Sequence, residues 1–141
     1  MAENITLHYD IDGTNFTIAG QASSHLKKVL KQLGVTPECI RKAAISMYEG
    51  EINMVIHADG GVIDVEITKE KIHMFLRDRG PGIQNINLAM TEGYSTAPDE
   101  VRELGFGAGM GLPNMKKYTD FFNIETNVGV GTTVEMIVNI I

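Results

Sequence analysis

Hydrophobic and polar residues alternate at the start of the chain, which is the pattern of a half-buried β-strand. The segment ITLHYDI (residues 5–11) has an apolar or aromatic residue at every second position, and Asp12-Gly13 follows it directly. This dipeptide tolerates the positive φ angles of a tight hairpin turn. We therefore predict an N-terminal hairpin over residues 4–19.

After the hairpin, apolar residues recur at helical spacing. We predict a first helix that ends at about Leu33 and a second, longer helix that ends at about His57. Ser23 or Ser24 can cap the first helix, because a serine hydroxyl accepts a hydrogen bond from a free backbone N–H group. Thr36 can cap the second in the same way. Two helices in succession are thus expected.

The rest of the chain predicts four strands and two short helices. Strands are expected at residues 62–68 and 71–78, and the segments FFNIETN and TTVEMIVNII form a second pair around a glycine turn. Between the two pairs, IQNINLAM (83–90) predicts a short helix, a polar loop follows it, and Pro113 allows a helix from about Leu112. Long helices together with a sheet rich in hairpins indicate a two-layer α/β sandwich.

Composition limits the class of protein. The 141 residues suffice for one domain, and 43% hydrophobic content with dispersed charges is typical of a globular protein. The formal net charge of −6 argues against general nucleic-acid binding, and no apolar run approaches the length of a membrane span. A single cysteine favours a reducing compartment. We expect a cytoplasmic protein whose partners are proteins and small ligands, with no nucleic acid and no membrane.

Glycine occupies every second position from Gly105 to Gly111. A dinucleotide-binding loop would follow a buried strand directly, whereas the residues before Gly105 are polar and acidic, and the Gly-Lys-Ser/Thr of a Walker loop is missing. A flexible hinge stays open on the glycines alone. However, a helix follows, and its free N-terminal amides suit phosphate oxygens.

A carboxylate is expected to point inward at the end of the strand 71–78. Asp78 continues the apolar face of that strand, and a buried carboxylate needs a hydrogen-bond donor, such as the exocyclic amine of adenine. Gly80 and Gly82 would let a flat base lie close to the main chain. An Asp before Gly-Pro-Gly is also a common turn former. Thr132 leads the inner face of the last strand, so we expect its hydroxyl beside Asp78.

Glu49 and Asn53 lie four residues apart on the long helix and share one face. An exposed polar stripe is the ordinary explanation of such a pair. Its specific chemistry would be an Asn oxygen that binds phosphate-bound Mg²⁺ and a Glu that orients or deprotonates a hydroxyl. Glu51 lies about 200° away around the helix and is expected to take no part.

Taken in order, four segments resemble the nucleotide-binding boxes of the GHKL superfamily, which includes DNA gyrase, the ninety-kilodalton heat-shock chaperone, histidine kinases and MutL. The segments are Glu49-x-x-x-Asn53, Asp78-x-Gly80-x-Gly82, Gly107-x-Gly109-x-Gly111-Leu112 and Gly131-Thr132. Small size and the run GFGAGMGLPNMKKYTD look most like the bacterial anti-sigma and switch-protein serine kinases. These kinases phosphorylate a serine on a STAS-domain antagonist protein.

The resemblance implies a single Bergerat domain over residues 1–141, with a mostly antiparallel sheet covered on one face by helices and an ATP lid at about 92–110. It implies ATP and Mg²⁺ as cofactors and Glu49 as the catalytic base, with Asn53 as the Mg²⁺ ligand. The cofactor contacts that it implies are Asn53, Asp78, Gly80, Gly82, Ile83, Gly107, Gly109, Gly111, Leu112 and Thr132.

Two departures from the family pattern leave the function with an alternative. Arg79 stands where Asn is frequent, and Tyr48-Glu49-Gly50 replaces the more usual Ser-Glu-(Ala/Leu). The first interpretation is a protein-serine kinase that acts on a STAS-domain antagonist. The alternative is a nucleotide-gated binding module that sequesters a sigma factor or activates a phosphatase with little or no transfer. The resemblance also suggests a homodimer.

Overall fold

A computed structural model describes residues 4–12, 20–57, 60–80, 90 and 111–140. In this part of the chain, five strands form one sheet in the order β1-β2-β3-β5-β4, and every neighbouring pair is antiparallel. The elements are β1 (Ile5–Asp12), α1 (Gln21–Gln32), α2 (Pro37–His57), β2 (Gly60–Ile67), β3 (Lys71–Asp78), α3 (Gly111–Lys117), β4 (Phe121–Asn127) and β5 (Gly131–Asn139). The predicted α/β architecture with a mostly antiparallel sheet is confirmed.

β1 pairs with β2 along its whole length, from Ile5 opposite Ile67 to Asp12 opposite Gly60. The second strand of the predicted N-terminal hairpin falls on residues 13–19, which lie outside the described residues. The helix predicted at 83–90, except for residue 90, and the lid at 92–110 also lie outside them. These predictions remain predictions.

The two long helices occur as predicted, but the caps differ. Thr36 Oγ1 accepts a hydrogen bond of 3.4 Å from the Cys39 N–H group, so Thr36 caps α2 as expected. The prediction that Ser23 or Ser24 caps α1 is wrong. That helix begins earlier, after Gly20 in a left-handed conformation with φ of 99°, and both serines lie within its first turn. The Ser23 hydroxyl instead donates to the Gly20 carbonyl oxygen.

The core lies between the helices and one face of the sheet. Every second residue of the three central strands is buried, and the first two helices contribute their own apolar stripes to the same cluster. Its fully buried members include Leu26, Leu30, Met47, Ile63, Ile67, Ile72, Met74, Met115, Met136 and Val138. The alternation predicted for the strand at 71–78 and for the segment TTVEMIVNII is confirmed in β3 and β5.

The opposite face of the sheet carries polar and aromatic side chains at the intervening positions. His73 Nε2 lies 2.6 Å from Glu135 Oε2, and Arg77 Nη1 donates to Asp64 Oδ2 at 3.1 Å. Phe75 stacks on the His73 ring and lies under the Arg77 guanidinium. This mixture of paired charges and half-buried rings is typical of a sheet whose core lies on one side. Among the described helices, none combines the length and hydrophobicity needed to cross a bilayer.

Candidate functional site

Asp78 ends β3 with its carboxylate held between two backbone groups. Its Oδ1 accepts hydrogen bonds from the N–H groups of Thr132, at 2.9 Å, and of Gly80, at 3.0 Å. Asp78 and Thr132, which are 54 residues apart in the chain, are therefore direct neighbours, but the bond is made by the Thr132 backbone N–H group, whereas the prediction was for its hydroxyl. Two N–H donors on one oxygen fix the direction of the carboxylate.

The start of β5 packs closely on the end of β3. A Cβ atom placed on Gly131 would lie 2.3 Å from the Asp78 carbonyl oxygen, so only glycine allows this approach. The next residue, Thr132, is 7% exposed, and its hydroxyl lies 3.0 Å from the Thr126 hydroxyl. The start of β5 is thus closely packed against the end of β3.

Glu49 lies half-buried on α2, one turn before Asn53. Burial raises the pKa of Glu49, because the ionised form loses solvation by water. The Asn114 side chain of α3 acts in the opposite direction on that pKa, since its Nδ2 donates to Glu49 Oε1 at 3.5 Å. Asn53 is also partly buried. The pair is therefore not an exposed stripe, which was the ordinary explanation of its spacing.

Gly50 lets α2 approach both β3 and α3. A Cβ atom at this position would lie 2.2 Å from Leu76 Cδ2 and 3.5 Å from Met115 Sδ. Alanine would therefore collide with a side chain that is itself buried. Gly50 departs from the Ser-Glu-(Ala/Leu) pattern of the family, and its close contact with Leu76 explains why a glycine stands here.

These contacts join the described parts of the four sequence boxes, which for the third box are Gly111 and Leu112. Gly50 follows Glu49 and faces Leu76, which lies two residues before Asp78 on the same face of β3. Met115, beside Gly50, belongs to the helix that begins at the last glycine of the third box. The Asp78–Thr132 hydrogen bond joins the second box to the fourth. Segments spread over most of the chain are thus linked by direct packing.

Glu51 has a role that the sequence did not indicate. It is 2% exposed, and its carboxylate accepts three backbone hydrogen bonds at the start of α1. Gly20 N–H and Ala22 N–H donate to Oε2 at 2.7 and 3.2 Å, and Ser23 N–H donates to Oε1 at 3.1 Å. Glu51 is therefore the cap of α1, supplied from another helix. The expectation of an uninvolved residue is wrong, and Glu51 cannot serve as a neutral control.

The described residues include Glu49, Asn53, Asp78, Gly80, Leu112 and Thr132 among the predicted site residues, and Gly111 begins α3. Leu112 packs against the core. Gly82, Ile83, Gly107 and Gly109 lie outside the described residues. Sequence reasoning missed Asn114. Its only signal was its place three residues after the last alternating glycine, which is too weak to identify a partner of Glu49 at a separation of 65 residues.

The side-chain oxygens of Asn53 and Asp78 are of the kinds that can bind a nucleotide with Mg²⁺. An Asn side-chain oxygen is a ligand of the kind that Mg²⁺ takes when it is bound to phosphates, and a fixed carboxylate can accept from an exocyclic amine. Asn53 lies one turn after Gly50 on α2, and Asp78 lies two residues after Leu76 on β3, so the Gly50–Leu76 contact brings the segments that carry these two groups next to each other.

Comparison with known proteins gives relatives and a fold match. The sequence profile of the histidine kinase-like ATPase domain matches residues 16–138. The anti-sigma F factor of Anoxybacillus flavithermus is 34% identical over 103 residues, which are 73% of this chain and 64% of that protein. The serine/threonine-protein kinase RsbT of Bacillus subtilis is 29% identical over 115 residues, covering 79% of this chain and 80% of RsbT.

The anti-sigma F factor of Clostridium beijerinckii is 32% identical over 109 residues and covers 73% of each chain. Among solved structures, the RsbU and RsbW domains of a Mycobacterium tuberculosis protein superpose with a TM-score of 0.65 at 16% identity, covering 95% of this chain and 32% of that one. At that identity the superposition supports the fold. From the sequence match over most of its length, the chain belongs to the histidine kinase-like ATPase domain family, and its relatives there include anti-sigma F factors and a serine/threonine-protein kinase.

Proposed function

We propose that the protein is an ATP-dependent protein-serine kinase and anti-sigma regulatory factor that phosphorylates a STAS-domain antagonist protein. The observation that carries this proposal is the convergence of the described parts of the four boxes through the Gly50–Leu76, Gly50–Met115 and Asp78–Thr132 contacts. A shared site for a purine, its phosphates and an acceptor hydroxyl needs this convergence. The names of the relatives, which include a serine/threonine-protein kinase, support the same reaction.

In this proposal, each residue has a role that follows from the chemistry of its side chain. Asp78 accepts a hydrogen bond from the exocyclic amine of adenine, and Thr132 holds the same end of the base. Asn53 binds Mg²⁺ through its side-chain oxygen. When bound, ATP with Mg²⁺ supplies the phosphoryl group and neutralises charge on its oxygens. Gly80, Gly82, Ile83, Gly107, Gly109, Gly111 and Leu112 are the further nucleotide contacts in this proposal.

Glu49 orients the acceptor serine and takes the proton from its hydroxyl. Its half-buried position suits this task, because a carboxylate whose pKa is raised by burial binds a proton more readily than one in water. Little covalent chemistry is required of the protein, so alignment of the serine hydroxyl is the main contribution of the site.

The partners and the location are part of the proposal. Relatives named anti-sigma F factor favour a sigma factor as a second protein partner, and a phosphatase is the alternative second partner. We propose a cytoplasmic protein, since such partners are inside the cell and Cys39 is a free thiol. A homodimer is proposed from family resemblance.

The reaction is tested with purified protein, radiolabelled ATP, Mg²⁺ and the STAS-domain protein encoded nearby. We expect a labelled serine, and Glu49→Ala should lower the rate of labelling by about 100-fold or more, as for loss of a general base. Calorimetry should show ATP affinity within about threefold of the original, because Glu49 does not hold the nucleotide. Glu70→Ala, at an exposed glutamate, is the matched control.

Three results would change the proposal. Unchanged labelling by Glu49→Ala would remove Glu49 from its role as base. No heat of ATP binding in the presence of Mg²⁺ would remove the nucleotide site altogether. Capture of a partner that depends on ATP, without any transfer, would support the nucleotide-gated binding module instead. The packing contact of Gly50 accounts for one residue of the Tyr48-Glu49-Gly50 departure, and Tyr48 and Arg79 still depart from the family pattern.

A further inference from the structure

We propose that Asn114 is a positioning residue that holds the Glu49 carboxylate in its working orientation from the neighbouring helix α3. The inference rests on the proposed role of Glu49 as the base. It extends that role to a residue outside the four boxes, on the helix that follows the alternating glycines.

The geometry joins the two side chains across a helix–helix contact. Asn114 Nδ2 donates to Glu49 Oε1 at 3.5 Å, and both side chains are partly buried. The next residue, Met115, is 1% exposed, and its sulfur faces Gly50, the residue after Glu49. The packing of Met115 therefore holds α3 against α2 beside Glu49.

The chemistry of an amide suits this position. A neutral donor directs one carboxylate oxygen and stabilises the ionised form of the carboxylate. The negative charge is kept, and the second oxygen stays available as an acceptor. A lysine at position 114 would form an ion pair and make Glu49 a weaker base. An apolar residue would leave a half-buried carboxylate without this donor, which favours the protonated and inactive form.

The other titratable groups on the two helices do not replace Asn114. Tyr48 is 38% exposed, and the charges of Glu49 and Glu51 add to the effect of burial in raising its pKa. The Glu51 carboxylate is committed to the start of α1. Lys116 and Lys117 are exposed on α3. Among the described residues, Asn114 is thus the side chain placed to direct Glu49.

The test compares Asn114→Leu and Asn114→Asp with a matched surface control. Leu has a similar volume but no donor, and Asp has nearly the same shape but replaces the donor with a second carboxylate. The control is Asn4→Asp, because Asn4 Nδ2 donates to Glu66 Oε2 at the same distance of 3.5 Å in an exposed position. Each variant is assayed for serine labelling between pH 6 and pH 9, for ATP affinity and for thermal stability.

We expect Asn114→Leu to slow labelling about fivefold at pH 6 and less at pH 9, because loss of the donor favours the protonated form of Glu49, and this form is populated more at lower pH. Asn114→Asp should slow it more at pH 6, because two carboxylates repel each other. ATP affinity should stay within about twofold, and Asn4→Asp should match the original protein at every pH. Asn114→Gln, which keeps a neutral amide N–H donor, should restore part of the rate at pH 6.

A direct measurement separates this inference from the proposed function. In protein labelled with ¹³C at the glutamate side chains, NMR titration should show the midpoint of Glu49 at higher pH in Asn114→Leu and unchanged in Asn4→Asp. An unchanged Glu49 midpoint, or an equal loss of labelling at every pH, would overturn the role of Asn114. A shifted midpoint in a protein that transfers no phosphoryl group would uphold the contact and overturn Glu49 as a base.

Discussion

Glu49 and Glu51 lie two residues apart on α2, and both side chains are at least partly buried, but their hydrogen-bond partners differ. Glu51 is 2% exposed and accepts three backbone N–H groups at the start of α1. Glu49 is half-buried and receives a hydrogen bond of 3.5 Å from the Asn114 amide. One carboxylate completes a helix end, and the other accepts a single hydrogen bond from the described part of the chain.

The difference shows how to separate a structural carboxylate from a reactive one. A carboxylate offers about four acceptor positions, and backbone donors that occupy three of them leave little capacity for a substrate. A carboxylate with a single long bond can still accept a proton or a hydroxyl. The number and kind of donors, rather than burial alone, therefore distinguish the two glutamates.

The largest effect is expected at Glu51. Glu51→Ala should lower the free energy of unfolding by about 3 kcal/mol, because three backbone N–H groups at a buried helix start lose their acceptor. Glu49→Ala should change it by less than about 1 kcal/mol, since Glu49 has one long bond and partial solvation. Urea unfolding followed by circular dichroism measures both. Equal losses in the two variants would refute the distinction.

An intermediate effect is expected at Gly50, between the two glutamates. Gly50→Ala should lower the free energy of unfolding by about 1 to 2 kcal/mol, because a Cβ atom 2.2 Å from Leu76 Cδ2 outweighs the higher helix propensity of alanine. Leu76→Val removes the colliding atom. In a double-mutant cycle, the combined variant should therefore be more stable than the sum of the two single losses predicts. Strict additivity would show that the collision is relieved elsewhere.

The smallest effect is the dependence of stability on pH at Glu49. Burial raises its pKa above the ordinary 4.5, so the folded state keeps the proton to a higher pH than the unfolded chain. The resulting stabilisation is present below pH 4.5 and is lost as the pH rises through the folded value. Urea midpoints from pH 4 to pH 7 should therefore fall in the original protein relative to Glu49→Gln. A flat difference across this range would contradict the raised pKa, and Glu70→Gln provides the exposed control.

Local patterns were sufficient for much of the fold. The alternation in β3 and β5 correctly predicted that Asp78 and Thr132 share the inner face, and they are joined by a hydrogen bond. Thr36 correctly predicted the start of α2. These features depend on residues close together in the chain, where the periods of strands and helices and the chemistry of caps decide the structure.

Features that depend on distant residues could not be predicted in this way. The cap of α1 comes from Glu51, about 30 residues further along the chain, so the nearby serines were a misleading signal. The reason for Gly50 lies in the side chain of Leu76, on another element. The partner of Glu49 on α3 is 65 residues away. Each of these three features can be predicted only when the packing of two elements against each other is known.

The carboxylate of Glu51 also couples the opening of α1 to the opening of α2. Its three bonds exist only while α1 is docked on α2, and its burial is costly without them. Partial opening that lifts α1 away would expose a charge and free three amides together, so neither helix can open far alone. The pair therefore forms one cooperative unit of local unfolding, in which the amide protons of Gly20, Ala22 and Ser23 exchange with solvent in a single event.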